Sequence, residues 1–219
     1  MKKPIVVPIL TIMLLVSCSV FESENSAQST IPETPHPTAL PERVDIGDGG
    51  LLSGQPCASP CVFGIRVGET QLDQVAPLLE QNNISPCQRE DSVSWIAIGC
   101  GYSVSVQVDT DTNIVNGILF YPSVSVSLGD TIEKYGDPNF VSLDPEGPTE
   151  APTIQTILYW DSIRMLVELP KIDGKEYNLQ KTTRIGSVAF MDEELYPGSS
   201  GIQFGEYYKL WNGYGTYQP

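Results

Sequence analysis

Histidine and basic residues are scarce in this sequence. Its 219 residues include one histidine, His36, and 12 lysines and arginines against 27 aspartates and glutamates, giving a formal net charge of −15 at pH 7. Nucleic-acid binding requires a positively charged surface, so we expect no nucleic-acid partner. His36 lies in a proline-rich stretch outside the expected folded region, which excludes histidine-based acid–base catalysis from that region. We interpret the excess of acidic residues as a contribution to solubility. A cationic partner is the alternative explanation.

The apolar run at the N-terminus is too short to span a membrane. Residues 4–17 amount to about 14 residues, whereas a transmembrane helix needs roughly 20. The run follows Lys2 and Lys3, and this order is typical of a secretory signal peptide. It ends in Leu15-Val-Ser-Cys18, which resembles the lipobox of bacterial lipoproteins.

The lipobox resemblance implies that residues 1–17 are removed and that Cys18 becomes the lipidated N-terminus. Its thiol would carry a diacylglyceryl group and its new amine an acyl chain such as palmitate. Each buried methylene contributes about 0.8 kcal/mol, so two or more chains hold a protein firmly at a membrane. We therefore expect an extracytoplasmic protein, anchored by lipid in a bacterial cell envelope. An ordinary signal peptide that happens to end in a cysteine is the alternative.

Residues 18–49, which follow the signal peptide, predict a disordered linker. A segment rich in serine and proline cannot bury enough apolar surface to offset its ordering entropy. A coil of this length spans about 30 Å on average. The linker would therefore hold the folded region clear of the lipid.

Four cysteines remain besides Cys18: Cys57, Cys61, Cys87 and Cys100. An even number in an exported chain indicates two disulfides, with three possible pairings. We expect Cys57 to pair with Cys61 and Cys87 with Cys100, contributing about 2 and about 3 kcal/mol respectively. Crossed pairing is the alternative. A zinc site is disfavoured, because the spacing differs from that of common zinc modules and no histidine lies nearby.

A helix followed by antiparallel strands is predicted for residues 50–122. The apolar stripe that indicates the helix consists of Leu72, Val75, Ala76 and Leu79. Thr70 and Asp73 fit a capping box with Thr70 as N-cap, and Pro77 should kink the helix or end it early. Alternation and β-branched residues predict strands at 94–99, 102–108 and 114–121.

The same pattern recurs in residues 123–196. Leu128-Gly-Asp-Thr131 echoes Val67-Gly-Glu-Thr70 at an offset of 61 residues. A short helix is predicted from Leu128, ending at Gly136. Further strands are predicted at 139–143, 154–160, 163–169 and 185–191, with Asp161-Ser162 as a two-residue hairpin between the second and third. We therefore predict an α+β fold, in which two tandem helix-plus-antiparallel-strand modules form one layered domain.

The motifs of these two halves resemble a known family. Ile65-Arg-Val-Gly-Glu-Thr70, followed by the stripe of the first helix, is similar to the opening of BamE/SmpA-like lipoproteins, and Gly136-Asp-Pro138 matches that motif's ending. Beta-lactamase-inhibitor-protein-like modules share this layout. The first copy lacks the closing Gly-x-Pro and neither copy has the motif's methionine. The entrance from Pro56 to Cys61 also resembles uncharacterised bacterial lipoproteins. The resemblance implies a layered α+β fold that binds other envelope proteins, with no catalytic residues to carry over.

No residue pattern indicates an enzyme. Asp109-x-Asp111-x-Asn113 suggests a calcium loop, but Ile114 and Phe120 stand where an EF-hand needs glycine and glutamate. A hairpin turn explains the same residues. Nothing in the spacing of the many carboxylates selects a pair for glycoside hydrolysis. We therefore expect no catalytic residues, no metal and no cofactor.

Aromatic residues are concentrated in the tail, residues 197–219. Phe204, Tyr207, Tyr208 and Trp211 have near-helical spacing, which suits a packed terminal turn. Tyr207, Tyr208, Trp211 and Tyr214 are also a possible interface, since aromatic side chains anchor protein contacts and stack on sugars. Our first hypothesis is a non-catalytic, lipid-anchored envelope protein that binds or helps to assemble a protein partner. The alternative is a solute- or glycan-binding lipoprotein that uses the aromatic tail.

Overall fold

Alternating apolar and polar residues give this chain a mostly β structure. The computed structural model describes residues 45–86, 88–92, 95–98, 104–148, 150–197 and 207–219, without the side chains of residues 88–98. All of these residues belong to one compact unit, Ala39–Pro219. The strands are β1 (Cys61–Val62), β2 (Ile65–Arg66), β3 (Gln88–Ser92), β4 (Trp95–Ile98), β5 (Val104–Asp109), β6 (Ile114–Phe120), β7 (Phe140–Glu146), β8 (Thr153–Trp160), β9 (Met165–Asp173), β10 (Tyr177–Leu179), β11 (Ser187–Met191), β12 (Tyr208–Leu210) and β13 (Gly215–Tyr217). The helices are α1 (Leu72–Gln81) and α2 (Leu128–Tyr135).

Nine strands form one antiparallel sheet in the order β12-β7-β8-β9-β11-β6-β5-β4-β3. The remaining strands pair two by two, β1 with β2 and β10 with β13. One row of directly opposed residues crosses six strands, from β7 to β5: Val141, Leu158, Val167, Val188, Phe120 and Val104. Opposed residues of antiparallel strands share a face, and every member of this row is buried in the main core. The register therefore fixes one apolar face across the sheet.

The predicted α+β fold of two tandem modules is wrong. The strands of residues 50–122 and those of residues 123–196 do not form separate layers, because β6 pairs with β11 and joins both halves in one continuous sheet. The described helices are short, so the fold is mostly β. Alternation along a strand identifies the strand and its buried face, but it does not determine which other strand it will pair with.

The two copies of the repeated motif do not occupy equivalent positions. Thr70 precedes α1, and its hydroxyl accepts a hydrogen bond from the Arg66 backbone N–H at 2.8 Å. Thr131 instead lies in the first turn of α2 and donates to the Ser127 carbonyl at 2.9 Å. The similarity of the two tetrapeptides therefore does not reflect a structural repeat at this point.

Helix α1 begins one residue later than predicted. Its N-cap is Gln71, which forms the capping box with Gln74 in place of Thr70 and Asp73. Pro77 does not end the helix, which continues to Gln81. The predicted apolar stripe does face the core, with Val75 and Leu79 buried.

Helix α2 is confirmed with its predicted ends. The Ser127 hydroxyl accepts from the Asp130 backbone N–H at 3.1 Å, which caps the first turn. Gly136 follows the last turn with φ +79°, a conformation in which glycine carries no steric penalty. The Gly136 carbonyl accepts from the Trp160 indole at 2.8 Å, so the end of α2 is attached to β8.

The predicted strands lie close to β4–β9 and β11, with shifted ends. The connection between β8 and β9 differs from the predicted two-residue hairpin. It is a 3-10 turn, Asp161–Ile163, followed by Arg164 at φ +48°. The predicted terminal turn of the tail is also wrong, because the described part of the tail forms β12 and β13.

Candidate functional site

The two faces of the large sheet are buried by different structures. Both helices pack against the face that carries Val141 and Phe120, and together they enclose the main core. The opposite face also carries apolar side chains, which form a separate, smaller cluster. We call it the outer face and define it by Leu119, Phe140, Ile157, Tyr159, Leu166, Ala189, Met191, Tyr208 and Leu210. A sheet that is apolar on both faces needs a cover on each.

The outer face is ordered by the same register as the core. One row of opposed residues runs from β12 to β6: Leu210, Phe140, Tyr159, Leu166, Ala189 and Leu119. Six strands thus contribute one apolar residue each to a continuous stripe across the sheet. Directly opposed apolar side chains on neighbouring strands pack against each other and stabilise the sheet.

The centre of the stripe is covered by the chain itself. Tyr196, which follows β11, packs edge-on against Tyr159 with ring centroids 6.5 Å apart, and both rings are buried. The Tyr196 hydroxyl donates to Asp161 Oδ1 at 2.7 Å. Burial first, and the nearby carboxylate second, raise the pKa of Tyr196 above its ordinary value. Tyr196 therefore stays neutral and serves as a packed cover.

The end of the stripe beyond Tyr159 includes an exposed side chain. Leu210 is 71% exposed, while Phe140 and Ile157 are only partly buried against the smaller cluster. At the other side Leu119 and Met191 are also partly buried. Tyr121, just past β6, is 42% exposed. Both flanks of the outer face therefore offer apolar surface around a covered centre.

A carboxylate lies within this face. Glu168 is opposite Ile157 on one side and Ser187 on the other. Its Oε1 accepts from Gln155 Nε2 at 2.9 Å and its Oε2 from the Ser187 hydroxyl at 3.0 Å. Both donors are neutral, and each carboxylate oxygen can accept one further hydrogen bond. The face thus combines apolar surface with a fixed negative charge.

An acidic cleft of about 790 Å³ lies where β6 begins and β11 ends. Four carboxylates line it together with one guanidinium: Asp109, Asp192, Glu193, Glu194 and Arg164. Arg164 contacts Glu193 at 3.8 Å. Asn116 Oδ1 is buried in the same region and makes no hydrogen bond. The cleft adds negative charge beside the outer face.

The carboxylate of Asp109, at the rim of this cleft, is used by its own turn. It accepts from the Asp111 backbone N–H at 2.9 Å and from the Thr112 hydroxyl at 2.8 Å. These hydrogen bonds lower the pKa of Asp109. The geometry is that of the hairpin turn expected from the sequence. Among the described residues no three histidine, cysteine, aspartate or glutamate side chains are grouped to hold a metal ion.

The predicted aromatic interface divides into two parts. Tyr208 lies on the outer face, its hydroxyl 3.2 Å from that of Tyr159. Trp211 instead stacks on buried Tyr217, with ring centroids 5.9 Å apart, and packs against the main core. Tyr214 contacts Trp211 edge-on and remains 37% exposed. Tyr207 lies beside β12, and its carbonyl accepts from the Leu143 backbone N–H.

Of the predicted cysteine pairs, the structure contains the Cys57–Cys61 disulfide. Cys18, Cys87 and Cys100 lie outside the described residues. In the described part of the chain no helix is both long and apolar enough to cross a membrane.

The outer-face residues Phe140, Ile157, Glu168 and Leu210 were not singled out from the sequence. A signal for the face was present in β8, where Ile157 and Tyr159 alternate with Leu158 and Trp160. A strand with apolar residues at both odd and even positions is typical of a sheet that is covered on both faces. Comparisons with protein-family models, with curated proteins and with solved structures give no match to this chain.

Proposed function

We propose that this chain is a non-catalytic, lipid-anchored protein of the extracytoplasmic membrane surface that binds a protein partner through its outer face. The observation that carries the proposal is the apolar stripe across six strands, partly exposed on both flanks. Contiguous apolar surface that stays exposed on a folded domain and is bordered by polar groups is typical of protein interaction sites.

The anchor in this proposal is Cys18, in the lipobox-like Leu15-Val-Ser-Cys18. Membership of the BamE/SmpA-like lipoproteins is a prediction from the motif at residues 65–70, and a protein-binding role in the envelope agrees with it. The anchor is tested by fractionation of cells that express wild type or Cys18→Ala. Wild type should sediment with membranes until detergent is added. Retention of Cys18→Ala in the membrane fraction would contradict a lipid anchor.

The binding face is tested by comparing proteins that co-purify with wild type and with two outer-face variants from detergent-solubilised membranes. Leu210→Asp introduces charge at a side chain that is 71% exposed, so the fold should be unaffected. Ile157→Asp introduces charge nearer the centre of the face. A partner of the outer face should be lost from both variants.

The matched control is Glu133→Ala on the exposed side of α2, away from the outer face. This variant should keep the partner. A partner set that is identical for wild type, Leu210→Asp and Ile157→Asp would contradict a binding role for the outer face.

The aromatic tail gives less support to the alternative, a glycan-binding module. Trp211 is occupied by its stack with Tyr217, and the Tyr217 hydroxyl donates to the Gly213 carbonyl at 2.7 Å while accepting from the Asn212 backbone N–H at 3.1 Å. These are the contacts of a segment packed on its own sheet.

A further inference from the structure

The polar part of the outer face carries more negative than positive charge. Glu168 lies in the middle of it, and both of its hydrogen bonds come from neutral groups. A nearby cation, Lys171, donates instead to Glu146 Oε2 at 2.6 Å. Asp144 is exposed on the neighbouring strand and lies opposite Gln155. Within the described chain both hydrogen bonds to Glu168 come from neutral donors. Lys171 is bonded to Glu146 instead, which raises the pKa of Lys171, and it lies close enough for the charge of Glu168 to raise that pKa further.

The position of Glu168 relative to the apolar stripe is equally definite. Its direct cross-strand neighbour is Ile157, and Ile157 lies next to the row that contains Phe140 and Leu210. A molecule that covers Ile157 therefore also covers the Glu168 carboxylate. Covering a carboxylate removes its water, which is costly unless the covering surface supplies hydrogen-bond donors or positive charge.

The surroundings of the face carry the same sign. The cleft at the end of the sheet has four carboxylates against one guanidinium, and the whole chain has a formal charge of −15. A second copy of this chain would bring equal charge to the face and would be repelled. A neutral apolar surface would leave the remaining acceptor sites of Glu168 unpaired.

Resting on the proposed function, we infer that the partner of the outer face is a basic protein segment, which covers Ile157 and Leu210 with apolar side chains and places a lysine or arginine on Glu168. Arginine fits this site well, since its planar group can bond both carboxylate oxygens at once. The acidic cleft then attracts the same segment at longer range and accelerates its association.

The probe for this inference is a random dodecapeptide library displayed on phage and selected against the full chain in detergent. Enriched peptides should combine apolar residues with lysine or arginine and should carry net positive charge. Synthetic copies are then titrated against wild type and variants by fluorescence anisotropy. Glu168→Gln keeps the size and hydrogen-bonding shape of the side chain but removes its charge, and it should weaken binding about tenfold, equivalent to about 1.4 kcal/mol.

Two further measurements make the result decisive. Peptide binding to wild type should weaken as the salt concentration rises from about 50 to about 500 mM, and binding to Glu168→Gln should weaken less. Glu133→Gln, which removes the same charge from the helix side, should bind like wild type. Circular dichroism of each variant verifies that the fold is retained.

The failures of the inference and of the proposed function are distinguishable. Enriched peptides that are neutral or acidic, yet lose binding to Leu210→Asp and Ile157→Asp, would overturn the basic partner and leave the outer face as the binding site. Peptides whose binding is the same for wild type, Leu210→Asp and Ile157→Asp would overturn both. Binding that is insensitive to both Glu168→Gln and salt would also overturn the basic partner.

Discussion

Thr156 is the most informative single test of how the sheet is packed. It lies on the core face of β8, opposite Leu143 on β7 and Leu169 on β9, and it is 0% exposed. Its hydroxyl makes no hydrogen bond. A buried hydroxyl without a partner costs about 1–3 kcal/mol. Valine has nearly the same shape without the hydroxyl, so Thr156→Val should stabilise the protein by about 1 kcal/mol.

The matched control for this prediction is Thr131, which is also 0% exposed but donates to the Ser127 carbonyl at 2.9 Å. Thr131→Val should destabilise the protein by about 1 kcal/mol, because it removes a satisfied hydrogen bond. Urea unfolding measures both changes from the shift in midpoint at constant slope. In thermal unfolding each should move the melting temperature by about 2–4 °C, in opposite directions. Destabilisation of equal size by both substitutions would refute the assignment of the Thr156 hydroxyl as unpaired.

Three further predictions concern stability. Trp211→Ala should cost about 2–3 kcal/mol in urea unfolding, because Trp211 packs on the core and on Tyr217, whereas Leu210→Ala should change stability by less than about 0.5 kcal/mol; equal effects would argue against a packed tail. Cys57→Ser should lower the free energy of unfolding by about 2 kcal/mol, since the disulfide closes a short loop, and identical stability with and without reductant would contradict this. Burial alone would raise the pKa of the Asp48 carboxyl, but hydrogen bonds from the Ser53, Gly50 and Leu52 backbones and the Ser53 hydroxyl lower it overall. The stability that Asp48 contributes is therefore present above its ordinary pKa and is lost as pH falls through the lower folded-state value. Wild type should lose stability more steeply than Asp48→Asn between about pH 5 and pH 2, and parallel acid titrations of the two would exclude this role.

The sequence predicted local elements more reliably than their arrangement. The stripe at Leu72, Val75 and Leu79 and the glycine at 136 determine short-range structure, and both helices form where these residues lie. Gln71 displaces Thr70 as the cap because the Thr70 hydroxyl is engaged by the Arg66 backbone N–H. That competition arises from the β2–α1 turn and cannot be read from the spacing of polar residues.

Sheet order depends on contacts between residues distant in the chain. The pairing of Phe120 with Val188 closes a separation of 68 positions and converts two expected modules into one sheet. Either strand alone has the alternation of a half-buried strand, which does not specify its neighbour. The outer face results from this pairing, because its stripe crosses from β12 to β6 only when the two halves are joined. The alternation along β9 places Glu168 on the opposite face of the strand from Val167. Its position beside Ile157, however, follows from the register of β8 and β9.

Site-specific photo-crosslinking in cells tests the central claim most directly. A benzoylphenylalanine residue is placed at Ile157 on the outer face or at Glu133 on the exposed side of α2. Irradiation should give a discrete adduct of higher mass from position 157 and none from position 133, and peptides of the adduct should come from a basic protein. Equal adducts from both positions, or an adduct from position 133 alone, would contradict the outer face as the binding surface.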